Sequence, residues 1–467
     1  MAKLLSLCIF FFSLSAFADK PNVVLIFADD QGYGDLSCFG SETIKTPYID
    51  QMAKEGRKFT SFMVASPVCT PSRAALLTGS YPKRVGLHKG VLFPQSTTGL
   101  NPAEYTIGDH FKSLGYATAC YGKWHLGHHP ETLPISNGFD EYYGIPYSND
   151  MNHPDNKNKP KGGPGGMDLL WNDPESTLTK WQTPLMEGAK IVEIPVDQRT
   201  VTRRYTDKAI SFIERNKEKS FFIYLPHSMP HIPLYVPDEI RDPDPKNAYI
   251  NVIEHMDDQV GRITKKLKEL GLDKNTIVIY TTDNGPWLPF KHHGGSAGEL
   301  RDGKGSTFEG GQRVPCVMWA PGLIPAGTET NELMTTIDLL PSLAALSSST
   351  LPGKNKIDGI DQSALITGKA ERSARNEFIY YSRSGDLEGL RQGKWKLLVK
   401  GPKKSKKSKK SNKEAKVTIY LFDLEADVAE QNNLADQNPE LVAKLKTRMQ
   451  ELDAEITANA RPVWVKK

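Results

Sequence analysis

Several short stretches of this chain combine residue types at spacings suited to chemistry on an anion. Cys69-Thr-Pro-Ser-Arg73 is the most specific. At average residue frequencies Cys-x-Pro-Ser-Arg arises by chance in roughly one chain per thousand of this length. Pro71 suits the first turn of a helix, with Thr70 or Cys69 near its cap. Cys69 would then sit where the helix dipole and free N–H groups favour negative charge, and Arg73 can fold back toward the same spot. A reduced cysteine at a helix start beside a surface arginine is the plainer alternative. Asp29-Asp30 and Asp283-Asn284 each follow an apolar run. Three carboxylates and an amide carbonyl make a hard oxygen set, suited to Ca²⁺ or, second to it, Mg²⁺ rather than zinc. Either pair alone also fits an ordinary turn. Lys123 and His125 are two apart, so in an extended segment both face one side and Trp124 the other; a surface lysine and a packed histidine fit equally. Lys304 stands between Gly303 and Gly305, which allow close backbone approach. His227 and His231 share one Pro-rich loop, and His292 and His293 fit either a sugar subsite or a surface loop.

The elements that must position these residues can be read from hydrophobic patterning. Asn22 to Ala28, Phe221 to Leu225 and Thr276 to Thr281 are continuous β-rich apolar runs, the pattern of strands buried on both faces. Tyr249 to Leu270 carries apolar residues three or four apart and ends at Gly271, which predicts a helix. Alternating strands and helices imply an α/β fold, an α/β/α sandwich around a largely parallel sheet, whose strand ends converge on a ligand crevice. Residues 151–187 are rich in Pro, Gly, Asn and Lys without a period and read as a surface insertion at the substrate rim. From about Glu371 the texture changes. Phe378 to Ser382, Gly389 to Lys400 and Val417 to Leu424 read as neighbouring antiparallel strands, and Asn438-Pro439 as the cap of a helix running to Ile456. The expected division is residues 19–370 for a large catalytic unit and 371–467 for a smaller α+β unit.

Composition sets the remaining bounds. The 467 residues are 38% hydrophobic and 24% charged, ordinary for a globular enzyme. The net charge of +4 is local: Lys400 to Lys416 holds nine lysines against one glutamate and contributes +8, leaving the rest slightly acidic. Global charge therefore supports neither a nucleic-acid partner nor a membrane surface. The lysine-rich stretch 400–416 fits a solvated hairpin loop or an electrostatic tether for a polyanion. Lys3, the apolar Leu4 to Leu14 and Ala16-Phe17-Ala18 form a signal peptide over residues 1–18, and no other stretch is apolar enough for a membrane span. Cys38, Cys69, Cys120 and Cys316 are too widely spaced for a disulfide framework and are expected to be mostly small buried hydrophobes.

CTPSRAALLTG resembles the signature of the formylglycine-dependent sulfatases. NVVLIFADDQGYGDL, GKWHLG, IYTTDNG and GKGSTFEGGQRVP extend the likeness along most of the chain. It is nearest the arylsulfatase A and N-acetylgalactosamine-6-sulfatase branch of the alkaline phosphatase superfamily. The resemblance implies an alkaline-phosphatase-like fold and conversion of Cys69 to Cα-formylglycine by a formylglycine-generating enzyme. It further implies one calcium held by Asp29, Asp30, Asp283 and Asn284, completed by position 69. Lys123 and Lys304 would bind the sulfate, Arg73 would help offset its charge, and His125 would partner the formylglycine hydroxyl. The family pattern fits both His227 and His231; His231, which precedes x-Pro, is taken as the group that would protonate the leaving group, with His227 either structural or standing behind it. Ser148 matches a serine near the arylsulfatase A pocket. The expected substrate is a sulfated carbohydrate rather than a free aryl sulfate, met in a bacterial periplasm or outside the cell, or in a lysosome. Two rivals remain: a formylglycine-dependent phosphonate or phosphodiester hydrolase, and a non-catalytic pseudo-sulfatase that holds sulfated polymers.

Overall fold

A computed structural model describes residues 20–153, 166–175, 181–401 and 417–467. The signal peptide read at 1–18 and the lysine-rich stretch beyond Gly401 lie outside the described residues. The strands in chain order are β1 (Asn22–Ala28), β2 (Arg57–Met63), β3 (Thr98–Gly99), β4 (Ala117–Tyr121), β5 (Glu141–Gly144) and β6 (Leu185–Glu187). They continue with β7 (Lys190–Glu193), β8 (Phe221–Pro226), β9 (Thr276–Thr282), β10 (Arg313–Trp319), β11 (Thr328–Thr330) and β12 (Met334–Thr335). The main sheet runs β11-β2-β10-β9-β1-β8-β4-β5-β6-β7, with β12 also on β2. Its centre is parallel: β1 lies between β8 and β9, and β4 joins β8 to β5. The antiparallel pairs lie toward the edges, at β10 and at the β5–β6–β7 end.

Alternation along β1 explains both covering layers. Val24, Ile26 and Ala28 face α1 (Pro47–Glu55), α4 (Val201–Arg215) and α5 (Ala248–Glu269), packing with Ile49, Phe212 and Met256. Val23, Leu25 and Phe27 face α2 (Cys69–Thr78), α3 (Ile107–Ser113) and α6 (Leu339–Leu346), packing with Leu77, Phe111 and Leu343. A strand buried on both faces has no polar side to show, hence the unbroken NVVLIFA.

The C-terminal region adds a four-stranded antiparallel sheet, β13 (Glu377–Tyr381), β14 (Leu387–Gln392), β15 (Trp395–Lys400) and β16 (Thr418–Asp423), covered by α7 (Pro439–Ala458). The stretch expected to be one strand, Gly389 to Lys400, is two: Gly393, at φ +56°, turns the chain between β14 and β15. Asn438 precedes Pro439 at the start of α7, but its side chain caps nothing there; its amide donates back to the Leu434 carbonyl. β17 (Trp464–Val465) pairs with β3, bringing the end of the chain back onto the large body. Among the described residues no helix is long and apolar enough to cross a membrane, and the four cysteines among them are unpaired, with Cys38 only partly buried.

Candidate active site

Asp29 and Asp30 follow β1 and Asp283 and Asn284 follow β9, and these two strands are parallel neighbours with Ala28 opposite Thr282. The register alone therefore brings the two acidic turns together. The Asp30 N–H donates to Asp283 Oδ1 at 3.1 Å, and the Asn284 amide donates to Asp30 Oδ1 at 2.8 Å. Asp30 is held at φ +65°, a conformation rare outside glycine. Asn284 Oδ1 is buried without a hydrogen-bond partner. A buried amide oxygen left unpaired is costly, so this atom fits a bound cation. Burial pushes the carboxyls of Asp30 and Asp283 up, with each other's or Asp29's charge adding to it and Lys304 or Arg73 opposing it.

Three cations answer the three carboxylates. Arg73, on α2, is wholly buried and donates twice to Asp283 Oδ2, at 3.0 and 2.8 Å, and once to the Lys123 carbonyl at 2.9 Å. Its guanidinium is thus spent beneath the cavity rather than on its surface. Lys123 ion-pairs with Asp29 and donates to Ser148 Oγ at 3.2 Å. Lys304 meets Asp30 Oδ2 at 2.7 Å and lies 4.1 Å from the Trp287 ring centroid. Burial alone would lower both lysines, but Asp29 and Asp30 outweigh it and keep them charged. The formal charges of these six groups cancel, so a divalent cation added here would leave a net attraction for an anion.

Cys69 occupies the first position of α2, one residue beyond Val68, so the helix begins slightly earlier than Pro71 suggested. Its Sγ is 3.5 Å from Asp29 Oδ1, and the ligand atoms of Asp29, Asp30, Cys69 and His231 lie within 4.8 Å of one another. Burial pushes the thiol well up despite Lys123 and Lys304. Cys69, His125, Ser148, His231, Lys304 and Trp287 line one cavity of about 560 Å³, a size common for small-molecule sites.

Lys123 and His125 reach this site by a route other than an extended strand. β4 ends at Tyr121, and His125 is left-handed at φ +59°, a strain found mostly where function needs it. Its Nε2 faces the Leu92 carbonyl at 2.8 Å, so it carries the proton and leaves Nδ1, buried and unpartnered, as an acceptor. His231 has the opposite arrangement: Nδ1 faces the Ile232 carbonyl at 2.6 Å, leaving Nε2 as the acceptor, 3.5 Å from Ser148 Oγ and 3.6 Å from Asp30 Oδ2. Burial and nearby lysines hold both imidazoles well below the usual histidine range. His227 is elsewhere, buried near the Tyr205 ring with neither nitrogen bonded. His292 and His293 both meet Asp168 Oδ1, at 2.7 and 2.8 Å, away from the cavity lining. Sequence reasoning missed Lys89, Phe93, Asp150, Trp287 and Arg383, which also line the cavity; of these, Trp287, three residues past Asn284, and Asp150, two past Ser148, stood near a flagged position.

The Sulfatase family profile matches residues 21–349, and a second, "N-sulphoglucosamine sulphohydrolase, C-terminal", matches 302–455. This chain belongs to the sulfatase family. Human arylsulfatase A is 36% identical over 465 residues, covering 95% of this sulfatase and 89% of the relative. Arylsulfatase G of Rattus norvegicus is 35% identical over 452 residues (91% and 84%). N-acetylgalactosamine-6-sulfatase of Mus musculus is 35% identical over 390 (80% and 71%). Among solved structures, Ps i-CgsB in complex with k-i-k-neocarrahexaose superposes with a TM-score of 0.76 at 29% identity, covering 96% of this sulfatase and 95% of that chain. A phosphonate monoester hydrolase of Agrobacterium radiobacter, at 18% identity and a TM-score of 0.63, shares the fold. Relatives at this level are sulfuric ester hydrolases, and so is this sulfatase.

Proposed function

We propose that this chain hydrolyses the sulfate monoester of a sulfated carbohydrate, using a formylglycine made from Cys69 above a calcium held by Asp29, Asp30, Asp283 and Asn284. One observation carries the reading: a cysteine at a helix N-terminus lines a cavity with Lys304 and two imidazoles, and Asp29 and Asp30 lie within 4.8 Å of Cys69 and His231, with Asp30 bonded to Asp283 and to Asn284, whose amide oxygen is unpartnered. Burial pushes the thiol up, and a thiol is a far poorer nucleophile than its thiolate. Formylglycine there would supply the oxygen nucleophile, and calcium would add positive charge beside the sulfate oxygens.

The chain's own groups supply the rest. Lys304, with Lys123 behind it, offsets the charge of the ester and orients it. Arg73 fixes Asp283 and the Lys123 backbone, and so acts through them. The open Nδ1 of His125 accepts a proton from the nucleophile side. The open Nε2 of His231 takes up a proton from solvent once the ester's negative charge offsets Lys304, and then hands that proton to the departing alcohol oxygen. Ser148 connects Lys123 to His231 and aligns both. The apolar N-terminal segment supports export, with maturation by a formylglycine-generating enzyme. A relative bound to a neocarrahexaose favours a carbohydrate substrate over a simple aryl sulfate.

The test compares matched aryl sulfate and aryl phosphonate esters with calcium, using protein verified by peptide mass to carry formylglycine at position 69. Faster sulfate release that disappears in Cys69→Ala is the expected result. A preference for the phosphonate, or full turnover by Cys69→Ala, would overturn it.

A further inference from the structure

The cavity lining also holds cations that sulfate hydrolysis does not use. Lys89 and Arg383 both line it, and among the described residues neither side chain has an ion-pair or hydrogen-bond partner. Yet their backbones are fixed. The Gly90 N–H donates to the Arg383 carbonyl at 3.1 Å. Gly385, at φ +83°, lies so close to His88 that a Cβ there would stand 2.5 Å from its carbonyl oxygen. On the other side, Arg383 Cδ lies 3.4 Å from where a Cβ on Gly305 would be, and Gly305 adjoins Lys304. The turn between β13 and β14 therefore brings one arginine from the C-terminal sheet against the loop that carries Lys304. Two unneutralised cations on braced turns, facing one cavity, form a site for an anion.

The same cavity offers what a sugar needs between two anions. Phe93, 54% exposed, and Trp287 present aromatic surface, and Asp150 Oδ1 is a buried acceptor without a partner, able to take a hydroxyl hydrogen.

We propose that Lys89 and Arg383 form a second anion subsite, selecting a sugar sulfate that carries a further carboxylate or sulfate beside the ester cleaved, with Asp150 binding a hydroxyl of the same unit. The proposal rests on the sulfatase reading of the inner pocket. It names the substrate class as doubly anionic saccharides.

The experiment measures kcat/KM for formylglycine-bearing parent, Arg383→Ala, Lys89→Ala and the double variant. The probes are galactose and N-acetylgalactosamine monosulfates, the matching disulfates, and monosulfated disaccharides containing a uronic acid. The parent is expected to prefer doubly anionic probes. The ratio of doubly to singly anionic kcat/KM should fall by about tenfold in Arg383→Ala, mostly through KM and less at high salt. A fall confined to the disulfates identifies the second group as sulfate, and one confined to the uronates as carboxylate. A ratio unchanged in the double variant overturns the subsite. If the parent releases sulfate from no probe, hydrolysis itself fails, and calorimetric binding of the disulfates to the parent and the double variant still decides: equal affinity overturns the pair, and weaker binding by the double variant upholds it.

Discussion

At the scale of single residues, the unpartnered Asn284 oxygen is the sharpest handle on the metal. A cation that binds only the folded chain stabilises it by about 2.7 kcal/mol at a hundred times its Kd. Calcium should therefore raise the melting temperature and EGTA lower it, and Asn284→Ala should lose most of that response. A melt indifferent to calcium in the parent would dismiss the assignment of these four ligands. Arg73 makes a second case, because its role is read from partners rather than from exposure. Replacing it with Met leaves Asp283 buried without its cation, which costs about 3–5 kcal/mol. Denaturant unfolding should show that loss, whereas an arginine that mattered only to substrate would leave stability untouched. The residues of this floor were legible in the sequence because each followed an apolar strand or opened a helix. Lys89, Phe93 and Arg383 were not, since only packing between distant loops makes them neighbours.

At the scale of elements, the parallel core was legible from NVVLIFA, FFIYL and TIVIYT, whose lack of alternation marks burial on two faces. The hairpin at Gly393 was not: one glycine in an apolar stretch fits a strand interior as well as a turn. Nor did the spacing of Lys123 and His125 reveal the left-handed turn that delivers them. How α7 is held belongs to this scale. Arg84, fully buried after α2, reaches Asp358 at 2.8 and 2.5 Å and Glu455 of α7 at 2.7 Å. The Arg84 bond, with Lys356 adding to it, holds the Glu455 carboxyl at about 2, below its usual 4.5. A depressed carboxyl stabilises the fold above pH 4.5, and that contribution fades as pH falls toward 2. Glu455 is more than a third exposed, so screening limits it to a few tenths of a kcal/mol. Glu455→Gln should therefore flatten the acid limb of stability only slightly. Arg84→Ala, which strands Asp358, should cost about 3 kcal/mol at neutral pH. Urea titrations at pH 7 and pH 3 would separate the two, and equal small losses would show that this buried arginine is not an anchor.

At the scale of the whole molecule, the C-terminal sheet is joined to the large body by more than its linker. Met63, Ala65, Ala75 and Phe308 belong to the same apolar cluster as Phe378, Leu397 and Phe422. Lys396 of β15 is wholly buried and bridges Glu309 at 2.8 Å and Glu430 at 2.7 Å, and Glu309 follows the loop carrying Lys304 by a few residues. Burial alone would raise the Glu309 carboxyl, but Lys396 and Arg313 outweigh it and hold it low; this charge network stays satisfied only while both regions are folded. The expected division at residue 370 therefore marks a change of architecture, and the two parts should unfold together. Calorimetry should give a single transition whose calorimetric and van't Hoff enthalpies agree. Lys396→Met, by removing the cation that two buried carboxylates share, should lower that one transition and weaken turnover through the Lys304 loop. Two separate transitions in the parent, or a Lys396→Met protein that loses only the smaller of two, would mean that the C-terminal sheet is an independent unit, and that Arg383 is carried to the cavity by docking rather than by the fold.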